Sequence, residues 1–263
     1  MIALLHRLKK TYHLLVDRPY PTQAIVADRY KILKTLGMGS FGITYLCEDL
    51  TSGTNCVLKQ MRPSKNKSKS GQQLYHNEIS ILGSLYHPCI PKLYHHFPYE
   101  NHLFYTMEFI DGSNLEDVLF AEHSKFKEKD ALLLLKQILD IIEYLHFENI
   151  VHNDIRIPNM MLWDENLYLI DFGLASKLDG HENGAKGTRE RMELIQDDFY
   201  DLGDVLLYLL YSFYVPLDRK SRPWTEELTL QPSTKHILER LLAIKDPYEN
   251  TSDIRKDLDQ ALS

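Results

Sequence analysis

The sequence predicts an α+β fold, a strand-rich N-terminal part followed by a mainly helical C-terminal part. Three observations lead there. Between Arg29 and Leu58, short apolar runs alternate with glycine and polar turns. Beyond Asp111 the apolar spacing becomes helical, most plainly over Ala131 to His146. The 263 residues are 44% apolar and 25% charged, enough for a substantial core in an ordinary globular chain.

The elements follow in order. In residues 1–27, Ile2, Leu5, Leu8, Tyr12 and Leu15 recur at helical spacing, and Pro19 and Pro21 close the run. Residues 1–31 carry six basic and two acidic side chains. We read this extension as a short amphipathic helix packed on the body of the protein. Weak contact with an anionic membrane surface is the alternative. Tyr30 to Leu36, Ile43 to Cys47 and Cys56 to Lys59 read as an antiparallel meander. The basic stretch 59–69 reads as a solvated loop. A helix is expected over Gly71 to Leu85, opened by a capping box of Ser70 and Gln73. After His87-Pro-Cys-Ile-Pro91, Leu103 to Ile110 reads as a strand. Met160 to Trp163 and Leu167 to Ile170 flank the turn Asp164-Glu-Asn166 as a hairpin, and Phe199 to Phe213 reads as a buried central helix.

Composition excludes several classes. A net charge of -7 argues against a general polyanion binder, so no nucleic-acid partner is expected. Cys47, Cys56 and Cys89 cannot all pair with one another and match no zinc spacing; they read as reduced thiols of a cytoplasmic protein. The most apolar run, Val205 to Phe213, is too short to span a membrane. Arg7, Lys9 and Lys10 interrupt the apolar N-terminus, so no signal peptide is expected.

Four segments carry chemistry. Gly37-Met-Gly39-Ser-Phe-Gly42 lies between two expected strands, where a flap of backbone N–H groups can approach phosphate; an ordinary glycine hairpin fits as well. Lys59 ends a strand downstream, where most lysines are merely solvated; to hold phosphates it would need a carboxylate to fix it, and Glu78, which by itself reads better as a surface glutamate, is the candidate. In His152-Asn-Asp154-Ile-Arg156-Ile-Pro-Asn159, Asp154 suits accepting a hydroxyl proton and Asn159 offers a neutral oxygen to a metal. Asp171-Phe-Gly173 adds a metal-binding carboxylate.

In this order and spacing the segments resemble a eukaryotic-like (Hanks-type) protein kinase, a small soluble bacterial-style member, over about residues 28–263. Asp198-Phe-Tyr-Asp-Leu-Gly203 resembles the start of that family's central helix. The resemblance implies a bilobal fold. Residues 28–110 would be the N-lobe and hinge, a small antiparallel sheet with one helix, and 111–263 the helical C-lobe. It implies ATP with Mg²⁺ or Mn²⁺, and transfer of the γ-phosphate to protein Ser/Thr hydroxyls. Gly37, Met38, Gly39, Ser40, Phe41, Gly42 and Thr44 would cover the nucleotide, and Lys59, paired with Glu78, would hold the α/β-phosphates. Val57, Met107, Glu108 and Ile110 would line the adenine pocket and hinge. Asp154 would be the base, Arg156 would neutralise the γ-phosphate, and Asn159 and Asp171 would hold the metal. Leu82, Leu93, His152 and Phe172 match an apolar stack anchored by Asp198.

The chain also departs from that pattern. Asn153 replaces the arginine that receives an activation-loop phosphate, and Ser176 is the one hydroxyl amino acid between Gly173 and Gly187. No activation-loop phosphorylation is therefore expected to be needed. Thr188 matches a structural threonine of the family. The Ala-Pro-Glu motif is missing, and Asn250 stands near the place of its arginine partner. Val57 replaces an alanine and would narrow the adenine pocket. A small-molecule kinase of the choline or aminoglycoside type and a pseudokinase scaffold are the alternative functions; the protein substrate is not legible.

Overall fold

The computed structural model describes residues 16–39, 42–66, 68–178, 185–216, 220 and 222–263. The chain divides into two units, one made of the residues up to Tyr86 with Pro91–Phe109, the other of His87–Ile90 with Ile110–Ser263.

The first unit holds Ile25–Val26 (β1), Tyr30–Met38 (β2), Gly42–Asp49 (β3), Thr54–Met61 (β4), Lys69–Leu82 (α1), Leu93–Tyr99 (β5) and His102–Glu108 (β6). The strands form one antiparallel sheet in the order β1-β2-β3-β4-β6-β5. Alternation along β3 buries Ile43, Tyr45 and Cys47, and these pack with Val26, Tyr30, Ile32, Cys56, Leu58 and Phe104. Register sets Cys47 directly opposite Cys56, and burial pushes their thiols up to about 12 and about 11. At the rim, Asp49 accepts two hydrogen bonds from Arg29, at 2.9 and 2.7 Å, which hold its carboxyl well below the usual range.

Residues 16–27 pack on the sheet. Tyr20 donates its N–H to Tyr45 Oη at 3.1 Å and packs on the Phe104 ring, while β1 adds a strand beside β2. Apolar surface on these residues is what draws them onto the sheet. The amphipathic helix expected from Ile2 to Leu15 lies outside the described residues. Helix α1 begins earlier than expected, and its cap is Ser68, whose Oγ accepts from the Gly71 N–H at 3.3 Å. Ser70 sits inside the first turn, because Ser68 is the residue with extended backbone at that boundary.

The second unit holds Ser113–Asn114 (β7), Leu115–Phe120 (α2), Glu128–Phe147 (α3), Ile150–Val151 (β8), Met160–Trp163 (β9), Asn166–Leu169 (β10), Ser176–Lys177 (β11), Ala185–Tyr211 (α4), Trp224–Glu227 (α5), Pro232–Leu241 (α6) and Thr251–Leu262 (α7). The stripe Leu135, Ile138, Leu139, Ile142 and Leu145 is buried on α3, which packs against α4 and α7. Burial of each such side chain contributes about 2 kcal/mol. Charges reinforce the seam: Arg255 of α7 donates to Glu143 at 2.9 and 2.6 Å. Gly203 lets α4 approach α6; a Cβ there would sit 2.8 Å from Leu242 Cδ2 and 3.0 Å from Leu241 Cβ. The expected hairpin is β9–β10, turned by Asp164 and Glu165, both at positive φ.

One finding departs from expectation here. The central helix begins at Ala185 rather than Phe199, so Thr188 and the stretch around Gly187 lie on its first turns. Asn250 caps α7, its Oδ1 accepting from the Asp253 N–H at 3.0 Å. His87–Ile90 joins the second unit because Cys89 O accepts from the Leu169 N–H at 3.1 Å and the His87 ring lies 5.0 Å from that of Tyr144.

Candidate active site

Each unit gathers its own set of the expected site residues. In the first, the register of β3, β4 and β6 sets Thr44, Lys59 and Tyr105 side by side. Lys59 Nζ is 2.6 Å from Glu78 Oε1, which also accepts from Tyr105 Oη at 2.7 Å. Both charged side chains are largely buried, 11% and 7% exposed. A pair so withdrawn from water costs desolvation that the mutual contact and the tyrosine bond offset. Breaking it by removing one partner would strand a buried charge. The Lys59 ammonium also stands 5.8 Å from the centre of the Tyr105 ring. Tyr105 escaped the sequence reading because only cross-strand register reveals it as a neighbour of Lys59.

The glycine segment joins β2 to β3. Gly37, Met38 and Gly39 are exposed, Ser40 and Phe41 lie outside the described residues, and Gly42 is buried. The Gly39 N–H donates to Gly42 O at 3.0 Å. A Cβ at Gly42 would lie 3.0 Å from Gln60 O and 3.3 Å from Lys59 Cγ and Cε, so glycine here leaves the lysine its path. Val57 is buried on β4 opposite Met107 of β6. Glu108 ends β6, with its N–H given to Lys92 O at 2.9 Å. Ile110, buried, belongs to the second unit. Leu82 is buried and Leu93 half-buried in the first unit.

In the second unit the loop after β8 carries Asp154, Arg156 and Asn159. Asp198 of α4 organises it. Fully buried, Asp198 accepts from the N–H groups of His152 and Asn153 at 3.1 and 2.9 Å, and meets His146 Nε2 at 2.9 Å. Asp201, one turn on, accepts from the Ile155 N–H at 3.0 Å. Burial drives Asp201 up to about 6, against that hydrogen bond and with help from the nearby carboxylates of Asp198, Asp154 and Asp204. His152 is completely buried with its ring 4.9 Å from Phe172, and burial lowers its affinity for a proton.

Asp154 is gripped from two sides. Its Oδ1 is 3.0 Å from Arg156 Nε, and its Oδ2 accepts from Asn159 Nδ2 at 2.7 Å. The same amide nitrogen reaches Asp154 O at 2.9 Å. Both neighbours are acceptors, so the NH₂ must face them and Asn159 Oδ1 is directed away from them. The Ile170 N–H donates to Asn159 O at 2.8 Å, which places Asp171 directly after a residue bonded to Asn159. Asp171 is exposed and holds φ 62°, and Asn153 holds φ 60°. Asn and Asp are the non-glycine residues that enter the left-handed region most readily, so both positions suit their residue types. Asn153 spends its side-chain amide on Leu174 O and Ser176 Oγ, both at 3.0 Å.

Chemically, the second unit offers a fixed carboxylate suited to proton acceptance, and oxygens from Asn159 and Asp171 suited to a hard cation. Among the described residues no group of three or more His, Cys, Asp or Glu could hold a metal by itself. That donor set fits Mg²⁺, which keeps waters and phosphate oxygens as further ligands. Sequence reading missed His146 and Asp201, whose roles depend on contacts some fifty residues apart.

The family model described as protein kinase domain matches residues 30–250. The chain is 44% identical over 259 residues to the Bacillus subtilis (strain 168) protein described as "Probable serine/threonine-protein kinase YbdM", covering 97% of this chain and 98% of that one. It is 31% identical to the Rattus norvegicus serine/threonine-protein kinase DCLK1, of which it spans 57%. In fold it is similar to the Mycobacterium tuberculosis PknI kinase domain, with TM-score 0.69 at 18% identity, covering 92% of this chain and all of that one.

Proposed function

The chain belongs to the protein kinase domain family, and from that premise we propose that it transfers the γ-phosphoryl group of ATP to serine or threonine hydroxyls of protein substrates. The observation that carries this reading is the buried Lys59–Glu78 pair at 2.6 Å, an arrangement that a purely structural sheet gains nothing from. Lys59 binds the α/β-phosphates, with Glu78 and Tyr105 fixing its reach. Gly37, Met38, Gly39, Ser40, Phe41, Gly42 and Thr44 cover the nucleotide. Val57, Met107, Glu108 and Ile110 form the adenine side.

Asp154 accepts the proton of the attacking hydroxyl, oriented by Asn159 and Arg156. Arg156 neutralises charge on the transferred group. Asn159 Oδ1 and the Asp171 carboxylate would hold Mg²⁺ or Mn²⁺. Bound there, the cation would neutralise phosphate charge, since this transfer asks the protein for positioning and electrostatics. Asn153 needs no phosphate to engage the segment after Asp171, because its amide already reaches Leu174 and Ser176. Activity therefore does not depend on activation-loop phosphorylation.

The protein-kinase family match favours a protein acceptor over a small alcohol. The set Lys59, Glu78, Asp154, Asn159 and Asp171 favours an enzyme over a scaffold. Among the described residues no helix is long and apolar enough to cross a membrane, and three unpaired cysteines fit a reducing cytoplasm. Transfer of ³²P from labelled ATP with Mg²⁺, to the protein itself and to a generic protein substrate, tests the reading. Wild type should transfer label. Asp154→Asn should lose at least about a hundredfold while keeping its fold, and Lys59→Ala should lose as much with a lowered Tm, since it strands the Glu78 charge. Wild-type activity in either variant would refute the assignment.

A further inference from the structure

Asp17 is 3% exposed, although it precedes the first strand. Its Oδ1 accepts from the Ser64 N–H at 2.8 Å. Its Oδ2 accepts from Ser64 Oγ at 2.8 Å and from Arg62 Nη1 at 3.0 Å. Burial opposes ionisation of this carboxyl, yet the bonds from Ser64 and Arg62 outweigh it and lower its pKa. The guanidinium it holds reaches onward, for Arg62 Nε donates to the carbonyl of Gly39 at 2.6 Å.

That carbonyl belongs to the glycine segment. Gly39 is exposed, and a Cβ placed on it would meet nothing within 4 Å. Packing therefore does little to hold it. Polar bonds do so instead, since its N–H is given to Gly42 O at 3.0 Å and its C=O to Arg62. A planar guanidinium suits this task, because orienting one edge on a buried carboxylate fixes where the other donors point. Arg62 lies three residues after Lys59, just past the end of the same strand.

We propose that Asp17 and Arg62 are positioning residues for the nucleotide site, with Asp17 aiming Arg62 and Arg62 holding the Gly39 shoulder of the glycine segment where it meets phosphate. The proposal rests on the reading that this segment covers ATP. It gives the residues ahead of the sheet a part in substrate binding that fastening alone does not.

The full chain is assayed as wild type, Asp17→Asn, Arg62→Ala and the double variant. KM for ATP, kcat at saturating ATP and Tm are measured for each. The expected result is a KM for ATP raised about tenfold in each single variant, with kcat within about twofold of wild type. The double variant should be no worse than the worse single, because both cut one relay. An unchanged KM with a lowered Tm would overturn the proposal in favour of simple fastening, and so would additive KM effects. If Asp17→Asn does not fold, Arg62→Ala carries the test, since that side chain is partly exposed. The Kd of a fluorescent ATP analogue in the same proteins reads the relay without turnover. A wild type that binds the analogue but transfers nothing would count against the kinase reading alone.

Discussion

Asp198 and Asp201 sit one turn apart on α4, and both hold the loop that carries Asp154. Asp198 satisfies its buried charge with two backbone N–H groups and His146. Asp201 is buried beside three carboxylates, with the Ile155 N–H as a partial offset, so ionising it is costly. Its folded value, about 6, lies above the ordinary 3.8, so the fold favours the protonated form. Its contribution to stability is therefore full below pH 3.8 and lost as pH rises through about 6. Asp201→Asn keeps an oxygen for Ile155 and removes the charge. Urea unfolding at pH 8 should show the variant more stable than wild type by about 1 kcal/mol, with a smaller difference at pH 4. An equal gap at both values would show that titration of Asp201 is not the cause.

At the scale of elements, short-range pattern and long-range contact part company. The meander β2–β3–β4, helix α1 and the β9–β10 hairpin were legible because alternation, helical spacing and turn residues are local signals. The start of α4 was not. Its first turns, Lys186 to Asp197, are rich in charge and carry little apolar periodicity, so nothing local marks them as a continuation of the buried helix. The chemistry-bearing residues Lys59, Asp154, Asn159 and Asp171 stood out by type and order; Tyr105, His146 and Asp201 became visible only through register and packing. Pairing of β8 with β11 is likewise long-range, and it is what brings Asn153 to Leu174 and Ser176. Treatment with a broad phosphatase should leave the transfer rate within about twofold. Asn153→Ala, which forfeits two bonds, should lower it about tenfold. A large loss on dephosphorylation would put control elsewhere than in this neutral contact.

For the whole molecule, the question is where the folded chain begins. The break expected before residue 28 follows a change in sequence texture, yet Asp17, Tyr20 and β1 are integral to the first unit. The partners of Asp17 and Tyr20 lie 47 and 25 residues away, distances over which a sequence pattern carries no trace. Deleting residues 1–27 should lower the Tm by at least about 5 °C or yield insoluble protein, because a buried ion pair, a strand and an aromatic contact go together. A deletion that melts like the full chain would mean that the sheet closes without them. The cross-strand thiols bear on how such questions can be approached in the laboratory. Cys47 and Cys56 are buried and hold their protons far above neutrality, and burial raises Cys89 as well. Thiol-directed dyes attack thiolates, so the native protein offers them little to react with. One cysteine introduced on the surface of each unit would then take a fluorophore selectively, and the separation of the two units could be followed by energy transfer with the natural cysteines left in place.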